Sequence, residues 1–343
     1  MAEVKTYSHY IKSACQSNLP WEKLENTSIL ITGATGLIGS CLVEMLMEKH
    51  IAGLQVYAAG RNEARAEKRF AAYATAENFH FVKYDVTLPL QSTVDFDYII
   101  HSASNASPNF FKQNPVEVIA ANIYGVDHLL KYGMQHQLKR LLYVSTGEVY
   151  GEGDGRIFTE DYSGYVNPTN PRSCYPSSKR AAETLCAAYV EEYGMDAVIA
   201  RPSHTYGPYF TESDNRVYAQ FIRNVLKGED IIMKSKGEQF RSWCFVVDSA
   251  LAMLYILLKG EKGEAYNIAD RHSNISIRDL AEMTARIGHQ KVEMQLPDEP
   301  DSNKIITKAT FDTSKLEALG WSIAGTMEEK LTATILEMKE VRG

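Results

Sequence analysis

The sequence predicts an α/β protein: a doubly wound parallel sheet of Rossmann type, followed by a smaller α/β part at the C-terminal end. Two observations carry that expectation. Short apolar runs alternate with longer segments of helical periodicity through the first two hundred residues, the pattern of strands buried on both faces between crossover helices. The first of these runs leads straight into a glycine stretch, GATGLIGS at 33–40, placed where such sheets turn from their first strand into their first helix.

Residues 1–27 precede the first strand and are expected to form a helical extension closing at Pro20 and Trp21. The predicted strands are SILIT at 28–32, LQVYAA at 54–59, HFVKY at 80–84, DYIIHSA at 97–103, RLLYVST at 140–146 and DAVIAR at 196–201. The gap between the first two leaves room for one helix, 37–49, and two turns, which makes a right-handed βαβ unit. Further helices are expected over 115–135 and 177–192. After Pro202 the pattern changes to loops rich in Gly, Pro, Asp and Ser around helices at 216–227, 248–259 and 277–287, with a short strand, EAYNIAD, between the last two. The expected division is a dinucleotide-binding domain over 28–202, to which 240–270 returns, and a substrate domain over 203–239 and 271–343. Neither an internal repeat nor a low-complexity linker separates them, so the second part is expected to roof the crevice at the carboxyl ends of the strands.

Composition narrows the function. A formal charge of −7 leaves no broad basic surface for a nucleic-acid backbone, and no nucleic-acid partner is expected. The five cysteines, Cys15, Cys41, Cys174, Cys186 and Cys244, are odd in number and scattered without a CxxC pair, which reads as free thiols in a reducing compartment, with no structural zinc or other metal. Cys174 adjoins Tyr175, yet no local histidine activates it and it reads as a small packed residue. The N-terminal segment lacks the apolar core of a signal peptide, and the longest apolar run, 250–258, is too short to span a bilayer. A cytoplasmic protein with no membrane association is expected.

Gly33, Gly36 and Gly39 supply what a pyrophosphate site requires: a tight turn, close backbone approach to the anion, and close packing of helix on strand, with the helix N-terminus facing the negative charge. The second strand runs into AAGRNEAR without an aspartate. An acidic residue there accepts from the ribose diol of NAD, whereas an arginine accommodates the 2′-phosphate of NADP; Arg61 is open between that role and an ordinary surface arginine. Asp85, in KYDVT, is placed either to meet the adenine edge or to cap its own turn.

Tyr175 and Lys179 stand four residues apart in CYPSSKRAAET. On one helix face that spacing brings an ammonium toward a phenol and favours the phenolate. STGEVYG at 145–151 sets Thr146 and Glu148 at the carboxyl edge of the fifth strand, Thr146 to hold a hydroxyl in reach of Tyr175 and Glu148 as a second acid or base. Pro176 directly follows the tyrosine, and a residue before proline avoids the α region. The prediction is therefore that Tyr175 sits at the helix boundary, Pro176 in the first turn and Lys179 one turn on.

With these residues in view, the chain resembles the extended short-chain dehydrogenase/reductases that modify nucleotide sugars, over nearly its whole length, through GATGLIGS, HSAS, STGEVYG and Tyr175-x-x-x-Lys179. Within that superfamily it looks most like the UDP-glucuronate decarboxylases (UDP-xylose synthases), through HSASNASPNFF, EDYSGYVNPTNPRSCY, SKRAAETLCAAY, DNRVYAQFI and FRSWCFVVD. The resemblance implies that Tyr175 as phenolate removes a proton from a sugar hydroxyl, usually at C4, while the adjacent carbon gives hydride to bound NAD+. Lys179 then lowers the tyrosine pKa and holds the nicotinamide ribose. Epimerisation, decarboxylation or elimination follows on the resulting ketone before the hydride returns.

By the same resemblance the cofactor site takes Thr35, Leu37 and Ile38 of the glycine loop, Val86 beside Asp85, Ser102, Ala103 and Ser104 after the fourth strand, Asn122, Ser145, Pro202 and His204. The substrate site takes Ser107, His204, Arg216 and Arg241, the two arginines against the nucleotide phosphates. Three departures fall on the substrate side. Dehydratases of the family carry Asp-Glu after the threonine, whereas this chain has Gly147 before Glu148. The decarboxylases carry an arginine in the late loop, whereas 296–308 holds only Lys304 and Lys308 as stand-ins, point charges without the bidentate fork. His204 stands where relatives have asparagine.

The readings compatible with this pattern are a nucleotide-sugar enzyme of the epimerase, dehydratase or decarboxylase type that regenerates its NAD, a net reductase of a keto-sugar or other carbonyl consuming NADPH, and a non-catalytic dinucleotide-binding regulator. A homodimer is expected through the tyrosine-bearing helix and the helix before it, with simple burial against the sheet as the alternative for the apolar spacing in AAETLCAAYVEEY.

Overall fold

The computed structural model describes residues 4–212, 214–296 and 308–340. Its strands are β1 (Ser28–Thr32), β2 (Gln55–Gly60), β3 (Phe79–Lys83), β4 (Tyr98–His101), β5 (Arg140–Val144), β6 (Ala197–Pro202), β7 (His204–Tyr206), β8 (Ile231–Met233), β9 (Phe240–Phe245), β10 (Ala265–Ile268), β11 (Asp270–Ser276), β12 (Val292–Met294) and β13 (Lys308–Ala309). The α-helices are α1 (Tyr7–Ala14), α2 (Leu37–Lys49), α3 (Glu63–Arg69), α4 (Pro108–Gln113), α5 (Pro115–Gln135), α6 (Cys174–Tyr193), α7 (Val217–Lys227), α8 (Val246–Lys259), α9 (Ile277–Gly288), α10 (Ser314–Glu317) and α11 (Met327–Glu340).

Seven strands form one parallel sheet in the order β10-β6-β5-β4-β1-β2-β3. The doubly wound α/β fold expected from the sequence is borne out. Every residue of β1 is buried, and alternate residues feed opposite faces, as period-two geometry requires. Ile29 and Ile31 join Val56, Ala58, Leu142 and Val198 in one core with residues of α2 and α8. Leu30 joins Ile99, Leu141 and Ile199 in a second core with residues of α5 and α6.

Strand order reverses between β1 and β4, neighbours in the sheet although β2 and β3 intervene in the chain. A ligand crevice opens at such a switch point. β10 extends this sheet beside β6, whereas β9 belongs to a separate small sheet with β7, β11 and β13. Together with β8, β12, α7 and α9, that small sheet lies after Pro202, in the part expected to cover the crevice.

The N-terminal extension is helical where expected. Thr6 caps α1 by accepting from the His9 N–H, the Tyr7 hydroxyl donates to Glu44 on α2 at 2.7 Å, and the Tyr7 and Tyr10 rings meet Phe245 edge-on. α1 thereby packs across α2 and α8. All five cysteines are free and buried. Among the described residues no helix is long and apolar enough to cross a membrane.

Candidate active site

The carboxyl ends of the central strands border one cleft of about 1340 Å³. Its cofactor half begins with β1 and the glycine turn. Gly33 has φ +69°, and a Cβ there would lie 2.7 Å from the backbone of Ala103. A Cβ on Gly39 would lie 2.4 Å from the Gly33 carbonyl oxygen. The first glycine lets β1 pass the β4 turn at the switch point, and the last lets α2 close on that turn. α2 starts at Leu37 with Gly36 as its extended N-cap and no side chain over its first N–H groups, which leaves those donors facing the cleft.

Two buried hydroxyls on the cleft wall, Ser145 Oγ and Ser203 Oγ, have no partner within the protein. Buried hydroxyls are normally paired, so both mark places where a polar ligand atom belongs. Open backbone donors, absent Cβ atoms and orphaned hydroxyls fit a dinucleotide.

At the far end Arg61, Asn62 and Arg65 line the cleft. The Arg61 guanidinium is 64% exposed and 3.9 Å from Asp85. Asp85 Oδ1 accepts from both the Thr87 N–H and hydroxyl. Burial opposes its ionisation, but those bonds, with Arg61, hold its carboxyl below the ordinary range. Asp85 therefore caps its turn while also bordering the cleft, so the two roles considered for it share one geometry.

The residues expected from the sequence to carry the chemistry lie where β5 and α6 meet. Tyr175 is the second residue of α6, Pro176 the third and Lys179 one turn on. Proline fits there because first-turn N–H groups have no intrahelical acceptor. Both side chains point into the fold: Tyr175 stacks on Phe111 at 4.6 Å, and Lys179 Nζ lies 5.9 Å from the Tyr175 ring centroid and donates to the Val144 carbonyl at 2.8 Å. Burial pushes the Lys179 pKa down to about 7, against the opposing charge of Glu183. Tyr175 moves the other way. Burial and then the Glu148 carboxylate raise its pKa, and hydrogen bonding from Thr146, the charge of Arg216 and hydrogen bonding from Ser104 only partly offset them. The sequence-based expectation that Lys179 brings the phenol toward ionisation is thus not what governs the protein alone. Desolvation dominates, and the ammonium is spent on a carbonyl.

The other half of the cleft holds Glu148, Asp214 and Arg216, whose charges are already paired. Arg172 Nη2 donates to both Glu148 oxygens, at 3.1 and 3.3 Å, and its guanidinium lies over the Phe111 ring at 4.8 Å. Arg216 is clamped by Asp214 through Nε and Nη2, at 2.5–3.1 Å, and its charge reaches Tyr175. His204 is exposed to the cleft yet enclosed by protein. Burial, then Arg241 and Arg216, push its pKa down to about 3, so the ring is neutral at physiological pH. Ser107 Oγ donates to Asn215 Oδ1 at 3.3 Å across the mouth.

Of the residues singled out from the sequence, Gly33, Thr35, Gly36, Leu37, Ile38, Gly39, Arg61, Asp85, Val86, Ser102, Ala103, Ser104, Ser107, Ser145, Thr146, Glu148, Tyr175, Lys179, Pro202, His204 and Arg216 all line this cleft. Asn122 does not. It sits one layer behind, accepting from Ser104 Oγ at 2.8 Å and donating to Ser178 Oγ at 2.9 Å, where it orients Ser104. Arg241, on β9, is not on the cleft wall; its Nη1 donates to the Phe240 carbonyl and its charge is felt at His204. Lys308 begins β13, also off the wall, and Lys304 lies outside the described residues. Sequence reasoning missed Arg65, Arg172, Asp214, Ser203 and Phe311. Arg65 and Asp214 had a signal, four residues after Arg61 and two residues before Arg216. Phe311 had none, since only folding brings it beneath Gly147.

A family model described as the NAD dependent epimerase/dehydratase family matches residues 29–269. The chain belongs to this family. It is 36% identical over 302 residues to UDP-glucuronic acid decarboxylase 6 of Arabidopsis thaliana, covering 86% of this chain and 84% of that one. Among solved structures it is similar to the UDP-glucose 4-epimerase of Thermotoga maritima with UDP-glucose, with a TM-score of 0.79, 24% identity, and coverage of 92% of this chain and 100% of that one. It is similar too to the Bordetella bronchiseptica enzyme WbmF in complex with NADH, with a TM-score of 0.76, 25% identity, and coverage of 93% and 94%. The expected membership, the enzyme class and an NAD-type cofactor accord with these likenesses.

Proposed function

We propose that this protein oxidises a hydroxyl of a nucleotide-linked sugar, at C4 by resemblance, to a transient ketone, lets a rearrangement proceed beside that ketone, and then reduces it again. The observation that carries this reading is the convergence of Thr146, Tyr175 and Lys179 on one wall of the cleft, between the glycine turn and Arg216. Bound across the glycine turn, the nicotinamide dinucleotide supplies an acceptor and later a donor for hydride.

The chain's own residues do the rest. Ser145 and Ser203 offer unpaired hydroxyls to the ligand. Thr146 orients the substrate hydroxyl, and Tyr175 takes and returns its proton. Phe111 holds the tyrosine ring flat. Positive charge brought near a desolvated phenol lowers its pKa, so Tyr175 becomes a competent base only as ligands fill the cleft. Arg216, pre-oriented by Asp214, faces the nucleotide phosphates, and Glu148 stands beside the ketone as a second proton carrier.

The experiment is turnover of UDP-, GDP-, CDP- and dTDP-linked sugars followed by product mass, which separates loss of CO2, loss of water and no mass change. An unchanged panel, with no sugar altered, would count against the proposal.

Arg61 and Arg65 favour a second reading of the cofactor. Two guanidinium groups at the adenosine end, with no acidic residue closing β2, suit the 2′-phosphate of NADP. A net reductase consuming NADPH would use that preference. Cofactor released from the purified protein decides between them: near-stoichiometric NAD supports the regenerating enzyme, and an empty site with NADPH consumption supports the reductase.

Exposed apolar side chains on α5, Val116, Ile119 and Tyr124, support a homodimer built on α5 and α6. Five buried free thiols fit a reducing compartment such as the cytoplasm.

A further inference from the structure

We propose that Arg223, on α7 and off the cleft wall, is a positioning residue for Arg216: by holding the main chain that leads into α7, it fixes the one guanidinium nitrogen that Arg216 presents to a ligand. This rests on the reading of Arg216 as the residue facing the nucleotide phosphates and adds what sets that contact.

Arg216 is the extended N-cap of α7, and most of its guanidinium is engaged inside the protein. Nε donates to both Asp214 oxygens, at 2.9 and 3.1 Å, and Nη2 donates to Asp214 Oδ2 at 2.5 Å and to the Tyr218 hydroxyl at 3.0 Å. The Tyr218 hydroxyl, on a buried ring, donates on to Asp214 Oδ2 at 2.9 Å. Burial opposes ionisation of Asp214, but the hydrogen bonds and charge of Arg216 hold its carboxyl below the ordinary range, so the clamp stays charged. Nε and both hydrogens of Nη2 are thus taken up, and Nη1 is the nitrogen without a partner among the described residues. With a single nitrogen to present, Arg216 cannot grip a phosphate as a two-nitrogen fork, and a small displacement of the clamp carries the contact out of hydrogen-bond range.

Arg223 places the clamp. Side chains on a helix lean toward its N-terminus, and from the seventh position of α7 this one reaches back to the chain that enters the helix. Its Nη2 donates to the carbonyls of Thr211, Glu212 and Asp214, at 3.1, 3.1 and 2.5 Å, and its guanidinium lies over the Phe210 ring at 5.1 Å. Phe210 in turn meets the Tyr218 ring edge-on at 5.6 Å. Three carbonyl oxygens converging on one nitrogen repel one another once the cation is gone, and Asp214, whose own carbonyl is one of the three, shifts with them. Phe210, Thr211, Asp214 and Arg216 line the cleft, whereas Arg223 does not and acts on a ligand only through them.

The test is calorimetric binding of UDP, dTDP, GDP and CDP to the full chain loaded with NAD+, in wild type, Arg216→Ala, Arg223→Met and the double variant. Methionine keeps the apolar stem and removes every donor. For whichever diphosphate binds wild type, Arg223→Met should raise the dissociation constant about tenfold, the scale of a lost charge-assisted contact, with bound dinucleotide per chain unchanged. The double variant should bind no more weakly than Arg216→Ala alone, since both changes act through one contact. Arg223→Lys, which returns a cation with N–H donors on one nitrogen, should recover to within about threefold of wild type. Wild-type affinity in Arg223→Met, a double variant whose losses add, or a lysine variant no better than methionine each overturns this inference alone. Unchanged binding in Arg216→Ala, or no binding of any diphosphate to wild type, removes the phosphate role of Arg216 and this inference with it. Should Arg223→Met not fold, Arg223→Gln takes its place in the same cycle, with the same outcomes.

Discussion

At one end the cleft is walled by backbone and small side chains, Gly33, Gly36, Ala103 and Ser145; at the other it is walled by groups whose charges are already matched, Asp214 with Arg216 and Glu148 with Arg172, the last lying off the wall. The first surface is shaped by what is missing: a side chain at 33 or 39 would collide with backbone, and the open donors of α2 await an anion. The second is shaped by what is present and engaged. A ligand entering it must exchange one set of ion pairs for another, so its selectivity depends on the difference between two interactions of similar strength. One end of the cleft is therefore shaped by absent side chains, and the other by ion pairs that a ligand must displace.

The comparison is broken most severely at the centre, where both halves meet. Tyr175→Phe keeps the stacking on Phe111 and removes only the hydroxyl; turnover should fall by about 10³-fold, with bound cofactor unchanged per chain. Retained turnover would remove the proton-transfer role. Gly33→Ala attacks the cofactor half alone. Its Cβ meets the Ala103 backbone in a left-handed conformation, and the protein should lose about 2 kcal/mol of stability together with its bound dinucleotide. Denaturant midpoints and nucleotide content after gel filtration check both effects.

The difference between the halves also explains what could be read from the sequence. β1 to β6, α2, α5 and α6 were legible because periodicity and glycine spacing are local, and a shape made of absent side chains is written in the chain as glycine and serine. Tyr175 and Lys179 were legible because four residues fix one helix face. Arg172 and Phe311 were not. Arg172 reaches Glu148 only after the segment that follows the short 3-10 turn at Gly147–Tyr150 folds back, and Phe311 comes from near the opposite end of the chain to sit under Gly147. Pairing and plugging depend on which distant segments meet, and no residue type announces that. Even the electrostatics of Tyr175 depended on burial, a tertiary quantity, rather than on the lysine visible four residues away.

A milder change sharpens the boundary at the adenosine end. Removing both cations, Arg61→Ala with Arg65→Ala, should weaken NADP+ binding about tenfold or more, the value of a lost charge-assisted contact, and leave NAD+ binding close to wild type. Calorimetry with the two dinucleotides gives the ratio. Equal losses for both would make the arginines a general phosphate attraction and take away the support for an NADP preference.

The remaining effect appears only in acid and concerns His101, at the end of β4 beneath the switch point. It is 1% exposed, its Nδ1 is 2.7 Å from Thr32 Oγ1, and burial, followed by the charge of Lys179, pushes its pKa down from 6.5 to about 3. Between those values the unfolded chain holds a proton that the folded chain does not, so acid favours unfolding. The stability is complete above about pH 6.5 and is lost progressively as the pH falls toward 3. From pH 7 to pH 5 the loss should be on the order of 2 kcal/mol for this one imidazole. Lys179 acts in a separate window: its depressed pKa makes stability grow from pH 7 upward, so it leaves the acid limb untouched. Urea midpoints across that range, compared with those of His101→Gln, isolate the histidine. The variant should start less stable and show a shallower acid limb. An unchanged slope would mean that His101 titrates normally and that water reaches the base of the cleft, which would remove the desolvation on which the raised pKa of Tyr175 also depends.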